Sequence, residues 1–353
     1  MKIKNSLYWY ILVIILGNTI ITRCDRSPHR PVDKQIPTMH ARYLNDSTVY
    51  SLKNSHLEEV VFRVFDKKHF YKNLLPQTDI TFRYDNNKSV SGKTLSILIE
   101  ELLIELQYLP KNQKKINFKN FTIIKDQNTE TSYYTGLFIL RFKNYPFILK
   151  LFIETPESFV DPLAKGLEPN VFFYTAGGIS RHLLGFTRIK NLQEIQRLTQ
   201  ADPYWSVKID FPRKWFWLPK KPHWIHLEGW NIGPNKHITS TIPGTYAIVC
   251  DEIIWSEPFN LQNPEQRSIV MAYSNFLEHR IDAHINNFGI EKGSKLIVPI
   301  DFERFLIAVG MDKKYFSCYF DWYIYLSDKM VSSMMFRNKY DRRRAQYLAY
   351  NGW

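Results

Sequence analysis

The sequence predicts an α+β protein in which a strand-rich part precedes a helix-rich part. Up to about residue 253, several segments alternate apolar with polar residues or form short apolar runs, which is typical of strands. After Pro264, apolar residues recur at helical spacing. The chain has 353 residues, of which 44% are hydrophobic, so it can bury a sizeable core in one large two-lobed domain or in two ordinary domains.

The charge of the chain favours anionic partners. Lys and Arg together number 47 against 34 Asp and Glu, which gives a net charge of +13 at pH 7. A positive field of this size attracts nucleotides, phospholipids, nucleic acids or acidic glycans without choosing among them. A surface that is basic only for solubility explains the same numbers.

Residues 1–23 have the pattern of a secretory signal peptide or a signal-anchor. Two lysines precede an apolar run over residues 7–21, and charged residues follow it. The run is shorter than the roughly 20 residues that a spanning helix needs. Cys24 stands where a lipidated cysteine would, although Arg23 precedes it instead of a small residue. We therefore expect an extracytoplasmic protein, secreted or membrane-anchored through this segment, with a linker or N-terminal extension over residues 24–78.

Residues 79–253 are expected to form the strand-rich part. Strands are predicted at "DITFRYD" (79–85), "FTIIK" (121–125), "LFILRFK" (137–143), "YPFILKLFIE" (145–154) and "GTYAIVCDEI" (244–253). A helix is predicted between Ser91, a favourable N-cap, and Pro110. The stretch "LLGFTRI" (183–189) is expected to be rich in turns, and residues 192–198 to form a short helix.

An expected insertion over residues 190–245 contains a basic and aromatic segment. Residues 204–230 hold five tryptophans interleaved with lysines and arginines. Aromatic side chains beside cations suit an anionic membrane or a glycan surface, and they equally suit the packing of an insertion against the rest of the fold. No RNP-like or helix-turn-helix pattern accompanies the segment, so we expect no nucleic acid partner.

One apparent phosphate-binding motif fails on its spacing. Gly92, Lys93 and Thr94 open the predicted helix after a predicted strand, which is where a P-loop lies. That motif also needs a Gly five residues before Gly92, and Asn87 occupies the position. We therefore interpret Ser91 as an ordinary helix cap.

The helix-rich part, residues 254–353, contains the polar residues that indicate chemistry. Asp282 and Asn287 are five residues apart in "RIDAHINNFGI", and Asp301 follows fourteen residues later, after "KLIVPI". Phosphoryl transfer needs metal ligands and a residue that orients the attacking hydroxyl, and protein kinases supply them from residues in this order. "NFGI" and "KLIVPI" are predicted to be two short strands that bring Asn287 and Asp301 together.

These motifs resemble the protein-kinase-like superfamily over roughly residues 115–310. "DAHINN" is similar to the D-x-H-x-x-N loop of aminoglycoside and choline kinases and to the related loop of phosphatidylinositol kinases. "IDFE" is similar to the metal-binding strand end of the same small-molecule kinases. The resemblance implies a two-lobed kinase-like fold, with a β-rich N-lobe over 79–253 and an α-rich C-lobe over 254–353.

The resemblance also implies roles for individual residues. Asp282 would be the catalytic base or hydroxyl-orienting residue, and His284 would support the loop or touch phosphate. Asn287 and Asp301 would bind Mg²⁺. Glu303 stands where protein kinases have Gly, although choline-kinase-like enzymes carry Glu there.

Two other interpretations of the same residues stay open. Asp and Asn are common in helix caps and turns, so Asp282, Asn287 and Asp301 also suit purely structural roles. A separate metal site built from His279, Asp282 and His284 is a further alternative, but a fourth ligand and an HExxH helix are missing from the sequence.

The resemblance implies that Lys150, in the middle of a predicted strand, contacts the α- and β-phosphates of ATP. A lysine among alternating apolar residues needs an anionic partner. Besides phosphate, Glu168 is the expected partner, and Glu194 is the alternative because Pro169 makes a long helix near Glu168 doubtful.

The resemblance further implies a phosphate-covering loop and an adenine-binding hinge. The loop would be "TETSYYTG", which lacks a glycine-rich motif, and its phosphate-binding residues would be Ser132, Thr135 and Gly136. The hinge would present backbone groups to adenine from Cys250, Asp251, Glu252 and Ile253.

The function implied is an ATP- and Mg²⁺-dependent phosphotransferase, an atypical kinase that acts on a hydroxyl of a small molecule, lipid or protein outside the cytoplasm. The first alternative is a pseudokinase-type binding or scaffold module without transfer activity. The second is a basic protein that binds anionic lipid or glycan surfaces and no nucleotide.

Overall fold

The computed structural model of the protein has a mixed α+β fold, so the α+β class predicted from the sequence is confirmed. The structure describes residues 36–53, 59–108, 117–124, 137–160, 180–232, 235–304 and 314–334. All of these residues belong to one unit, Ile36–Trp353. In the part of the chain that the structure describes, no helix combines the length and the apolar character needed to cross a membrane.

Antiparallel sheets and helices alternate along the chain. The strands are β1 (Thr38–Tyr43), β2 (Tyr50–Lys53), β3 (Asp79–Phe82), β4 (Asp85–Ser91), β5 (Phe121–Ile123), β6 (Leu137–Phe142), β7 (Phe147–Ile153), β8 (Lys214–Trp217), β9 (Trp224–Ile232), β10 (Asn235–Pro243), β11 (Thr245–Asp251), β12 (Trp255–Pro258), β13 (Phe288–Glu291) and β14 (Ile297–Pro299). The helices are α1 (Val60–Arg63), α2 (Lys67–Lys72), α3 (Gly92–Gln107), α4 (Pro156–Val160), α5 (Ser180–Ala201), α6 (Pro264–Phe276) and α7 (Tyr319–Met334), and a short 3-10 turn covers Ile285–Asn287.

A five-stranded antiparallel sheet, in the order β5-β6-β7-β11-β8, separates two hydrophobic cores. Four of its strands lie where the sequence predicts strands. One face packs on α3 through a cluster that includes Leu149 and Ile99. The other face packs on α5 through a cluster that includes Phe152 and Phe186. Because side chains alternate across a strand, Lys150 shares the α5 face with Phe152.

Helix α3 begins as the sequence predicts. The Ser91 hydroxyl accepts a hydrogen bond from the Thr94 N–H at 3.1 Å, which is an N-cap contact. A Cβ on Gly92 would come within 1.7 Å of the Pro76 carbonyl oxygen. The glycine is therefore explained by close backbone packing, and the interpretation of this segment as a capped helix start is confirmed.

A four-stranded sheet, in the order β10-β9-β1-β2, joins two segments that are distant in sequence. Strand β1 pairs with β9, with Met39 opposite Gly229. Residues 38–53 fall in the range 24–78 expected to be a linker, but they form two strands of this sheet. Polar side chains and Ala interrupt the short strand β1, so its period-two pattern is weak, and its pairing partner lies far along the chain.

Helix α5 is much longer than the sequence predicts. The expected short helix over 192–198 is the C-terminal part of a 22-residue helix, and the stretch 183–189, expected to be turn-rich, lies inside it. Residues 182–189 are all buried. A helix buried on every side has no amphipathic stripe, so its sequence lacks the spacing that identifies surface helices.

The short strands β13 and β14 pair antiparallel, with Phe288 opposite Pro299, which confirms the pair predicted from "NFGI" and "KLIVPI". Strand β12 extends this sheet along the other edge of β13. Helix α6 starts at Pro264, capped by the Asn263 side chain. Helices α6 and α7 pack with the chain around Ile285 in a third hydrophobic core.

Candidate functional site

Lys150 and Asp301 meet in a partly buried ion pair. Lys150 lies in the middle of β7, and Asp301 follows β14 by two residues. The Lys150 Nζ is 3.3 Å from Oδ2 of Asp301, and the two side chains are 13% and 21% exposed. The structure thus brings together two residues that sequence analysis identified from separate motifs. Their expected roles in ATP binding stay predictions.

Arg188, on α5, is a second cation at the same carboxylate. One guanidinium nitrogen lies 2.5 Å from Oδ1 of Asp301. The other lies 2.5 Å from Oε2 of Glu303. Sequence analysis missed Arg188 because it lies in the helix that lacks an amphipathic pattern. An arginine inside the otherwise apolar "LLGFTRI" was the available signal.

Helix α5 is held against the loop that carries Asp301. The Asn191 side-chain amide donates to the backbone oxygens of Arg280, at 2.6 Å, and Phe302, at 3.0 Å. The Thr187 hydroxyl accepts from the Arg304 N–H at 3.1 Å. Thr187 and Asn191 lie on either side of Arg188 along α5. Their contacts therefore fix the position of Arg188 along the helix axis relative to the carboxylates of Asp301 and Glu303.

The charges at this site shift one another's pKa values. Burial alone would raise the pKa of Asp301, but the neighbouring Arg188 and Lys150 hold it well below its usual range. Burial and the like charge of Arg188 lower the pKa of Lys150, and Asp301 partly opposes them. Asp301 is therefore ionised at neutral pH.

Asp282 and Asn287 are hydrogen-bonded to each other beside this pair. The Asn287 amide donates to Oδ2 of Asp282 at 3.1 Å. The His284 backbone N–H donates to Oδ1 of Asp282, also at 3.1 Å. The Asn287 backbone oxygen accepts from the Ile300 N–H at 2.9 Å, so the 3-10 turn and the residue before Asp301 are directly connected.

Asp282 has the pKa of a group that can exchange protons at neutral pH. Burial, followed by the negative charges of Glu303 and Asp301, raises its pKa to about 7. A general base is most effective when its pKa lies near the working pH. The carboxyl of Asp282 can therefore take a proton from a hydroxyl.

The loop before Asp282 is held by structural contacts. The buried His279 ring bonds the Ser274 hydroxyl at 2.8 Å and the backbone oxygen of Lys314. The Tyr319 hydroxyl accepts from the Ile285 N–H at 3.0 Å. The two bonds of the His279 ring give this residue a structural role, which explains its burial without a metal.

The carboxylates at the site do not form a ready metal cage. Among the described residues, no group of three or more His, Cys, Asp or Glu is arranged to hold a metal ion. The oxygen atoms of Asp301 and Asn287 are nevertheless of the type that Mg²⁺ prefers. Both carboxylate oxygens of Asp301 already contact cations, so a metal at Asp301 requires Lys150 or Arg188 to move.

Lys214 is another buried cation near this site, and sequence analysis did not single it out. It lies on β8 opposite Cys250 of the central strand β11. Its Nζ donates to the backbone oxygen of Ile300 at 2.7 Å and lies 4.5 Å from the centre of the Phe302 ring. Burial, followed by the like charge of Lys150, lowers the pKa of Lys214 to about 7.

The predicted hinge is the end of a strand that has neighbours on both sides. Cys250 lies opposite Ile148 on β7 and Lys214 on β8. The Asp251 N–H donates to the Arg213 backbone oxygen at 3.1 Å, and the Glu252 N–H donates to a backbone oxygen at 3.0 Å. Adenine could therefore use these two amides only if the internal hydrogen bonds opened.

Several predicted ATP contacts cannot be placed. Ser132, Thr135, Gly136 and Glu168 lie outside the described residues. Glu194, the alternative partner of Lys150, instead bonds Arg197 three residues further along α5, with a shortest distance of 2.9 Å. The described anionic partner of Lys150 is Asp301.

The basic and aromatic segment is largely built into the fold. Trp205 and Trp217 are 6% and 3% exposed, whereas Trp230 is 42% exposed. Arg213 pairs with the buried Asp251 at 2.8 Å. Packing therefore accounts for much of the segment, and a membrane or glycan surface there stays a prediction.

No protein-family model, curated protein or solved structure matches this chain.

Proposed function

We propose that this protein is an ATP- and Mg²⁺-dependent phosphotransferase of the protein-kinase-like superfamily, acting on a hydroxyl of a small molecule, lipid or protein. The observation that carries the proposal is the contact between Lys150 and Asp301, which are 151 residues apart in sequence. The hydrogen-bonded pair of Asp282 and Asn287 is connected to the same segment through Ile300. Kinase-like phosphoryl transfer uses a lysine on a strand, an Asp and an Asn on one loop, and a second Asp. The corresponding residues here are Lys150, Asp282, Asn287 and Asp301.

The order of elements supports the proposed two-lobed kinase-like fold. Lys150 lies on the third strand of its sheet in chain order, after β5 and β6, and the long helix α5 follows before β8 and β11. In protein kinases the phosphate-binding Lys lies on the third strand and precedes helix αC. Asp282 and Asp301 come from the later part of the chain, in the order that the resemblance requires.

The proposed roles follow from the positions of the side chains. Asp282, with its pKa raised to about 7, orients and deprotonates the acceptor hydroxyl. Lys150 contacts phosphate oxygens once Asp301 is engaged elsewhere. Asn287 and Asp301 would hold Mg²⁺, which neutralises charge on the phosphates when bound.

One observation favours the second candidate, a pseudokinase-type binding module. In protein kinases helix αC supplies a Glu to the strand Lys. Here the helix after the strand supplies Arg188, which bonds Asp301 and Glu303 directly. If Arg188 stays in place, Asp301 is closed to metal, and the site binds anions without transferring phosphate.

Formation of ADP from ATP with Mg²⁺ separates the two candidates, with water or the protein itself as acceptor. We expect the wild type to form ADP and Asp282→Asn to slow it by about 100-fold or more, because general base catalysis is lost. Asp85→Asn, on the exposed β3–β4 hairpin, is the matched control and should behave as the wild type. Nucleotide binding with ADP formation no faster than in Asp282→Asn would overturn the transferase and support the binding module.

The proposed place of action, outside the cytoplasm, rests on residues 1–23, which lie outside the described residues. A contact with an anionic membrane or glycan is proposed for the exposed side of the basic and aromatic segment, where the tilted rings of Trp230 and His237 have their centres 4.2 Å apart.

A further inference from the structure

Lys214 and Lys150 project from the same face of the five-stranded sheet. Lys150 lies opposite Ile248 on β11, and Lys214 lies opposite Cys250, two residues further along that strand. Residues two apart on a strand share a face, so both lysines face α5 and the segment around Asp301. The two strands that carry them are separated only by β11, roughly 10 Å across the sheet.

The carboxylates nearest to Lys214 bond other cations. Lys150 and Arg188 bond Asp301, and Arg188 also bonds Glu303, which sets two cations against two carboxylates. Lys214 makes no ion pair with a carboxylate among the described residues. Its ammonium is held by one backbone oxygen, from Ile300, and the face of an aromatic ring.

The Asp301 carboxylate attracts the Lys214 ammonium but makes no ion pair with it. A buried ammonium that makes no ion pair is costly to a fold. The position of Lys214 beside a predicted phosphate site gives that cost a functional explanation, because a bound anion would supply the ion pair. Lysine binds phosphate as a point charge, and a ligand with several phosphates can reach more than one ammonium group.

We propose that Lys214 is a second phosphate-binding lysine, which contacts the polyphosphate of the nucleotide together with Lys150. The inference rests on the proposed nucleotide function and adds a binding residue to it. A site with two strand lysines favours ligands with several phosphates over those with one.

The test is calorimetric titration with inorganic tripolyphosphate, without metal, on the full chain. Lys214→Met should weaken binding by about tenfold or more, since a charge-assisted contact is lost. Lys214→Arg, which keeps the charge, should retain most of the affinity. Lys143→Met is the matched control, because the Lys143 Nζ also donates to a backbone oxygen, that of Phe118 at 2.6 Å.

Thermal stability without ligand separates binding from a structural role. Replacing a buried ammonium that makes no ion pair by an apolar chain should leave the melting temperature of Lys214→Met equal to or above that of the wild type. A lower melting temperature with unchanged tripolyphosphate affinity would make Lys214 a structural anchor for Ile300 and overturn the proposal. If the melting temperature and the tripolyphosphate affinity of Lys214→Met both fall, the Lys214→Arg variant decides. Binding of tripolyphosphate by Lys214→Arg as weak as that by Lys214→Met would also overturn the proposal.

The results also distinguish this inference from the function on which it rests. A wild type that binds Mg²⁺–ATP, together with a Lys214→Met variant that binds tripolyphosphate equally well, overturns the inference alone. If Lys214→Met binds tripolyphosphate more weakly than the wild type, but the wild type forms no ADP, the inference is supported and phosphate transfer is overturned. A wild type that binds neither ligand overturns both.

Discussion

Arg188 and Asp301, 113 residues apart in the chain, form an ion pair with 2.5 Å between the guanidinium nitrogen and Oδ1. The pair joins helix α5 to the segment after β14, and Lys150 joins the same carboxylate from the five-stranded sheet. One carboxylate therefore connects three elements that are distant in sequence. Its removal should affect both stability and ligand binding.

The first prediction concerns the stability of Asp301→Asn. The substitution leaves the Lys150 ammonium without its described carboxylate partner and leaves Arg188 with Glu303 alone. Breaking a buried pair in this way costs about 3–5 kcal/mol. We expect the free energy of unfolding at pH 7 to fall by about 3 kcal/mol in a denaturant titration. Asp85→Asn removes an exposed ion pair and should leave the free energy of unfolding nearly unchanged. Equal effects of the two substitutions would contradict the buried role of Asp301.

The second prediction concerns Gly185, three residues before Arg188 on α5. A Cβ at this position would lie 1.9 Å from the Tyr246 hydroxyl oxygen and 3.0 Å from the Phe152 ring. Gly185→Ala should therefore destabilise the protein, although Ala in a helix normally gains up to about 1 kcal/mol.

Gly293 offers the matched control for this substitution. A Cβ at Gly293 meets its nearest atom, on the Tyr84 ring, at 3.5 Å, which is an ordinary contact. Gly293→Ala should fold with nearly unchanged stability. A melting temperature for Gly185→Ala at or above that of the wild type would show that the approach of α5 to β11 is looser than described.

The third prediction concerns the pH dependence of Asp282→Asn. The folded protein holds the proton of Asp282 up to about pH 7, whereas the unfolded chain releases it near pH 4. Between these values the folded state binds more protons, so the free energy of unfolding of the wild type falls as pH rises. The Asn side chain of the variant does not titrate, so the variant does not lose stability in this way as pH rises. Its stability relative to the wild type should therefore rise between pH 4 and 7 and then level off.

The size of this effect is on the order of 2 kcal/mol, less than the full linkage because Asp282 is only half-buried. Denaturant titrations of both proteins at several pH values measure it, and the change with pH is the informative quantity. A difference that stays constant from pH 4 to 8 would show that Asp282 ionises normally in the folded protein.

The fourth prediction concerns Arg83, which ties the β3–β4 hairpin to β13. Its guanidinium lies 2.5 Å from both the buried Glu291 and Asp210. Arg83→Met should lower the free energy of unfolding by about 3 kcal/mol, because it leaves the Glu291 charge buried. Lys119→Met, which removes an exposed pair with Glu101, is the control and should cost less than about 1 kcal/mol.

The parts of the fold that sequence reasoning predicted depend on local patterns. The strand around Lys150 is an apolar run, and the pair β13 and β14 is separated by a short turn, so both signals lie within a few residues. The offsets among Asp282, Asn287 and Asp301 are equally local. These segments also carry most of the candidate site.

The parts that sequence reasoning missed depend on the tertiary structure. Helix α5 is buried on all sides around Arg188, so its helical period is hidden. The burial of Lys214 follows from the position of β8 next to β11, and no property of a basic segment predicts it. Strand β1 gains its place by pairing with β9, in which Gly229 lies opposite Met39 from far earlier in the sequence. Such long-range pairing leaves little trace in either strand alone.

Binding of ATP in the presence and absence of Mg²⁺, measured by calorimetry on the wild type and Asp301→Asn, tests the central claim most directly. Asp85→Asn serves as the control for a surface carboxylate. The account predicts that the wild type binds ATP, that Mg²⁺ tightens the binding, and that Asp301→Asn loses this dependence on Mg²⁺ while the control keeps it. A wild type that binds no ATP, or an Asp301→Asn variant with an unchanged response to Mg²⁺, would contradict it.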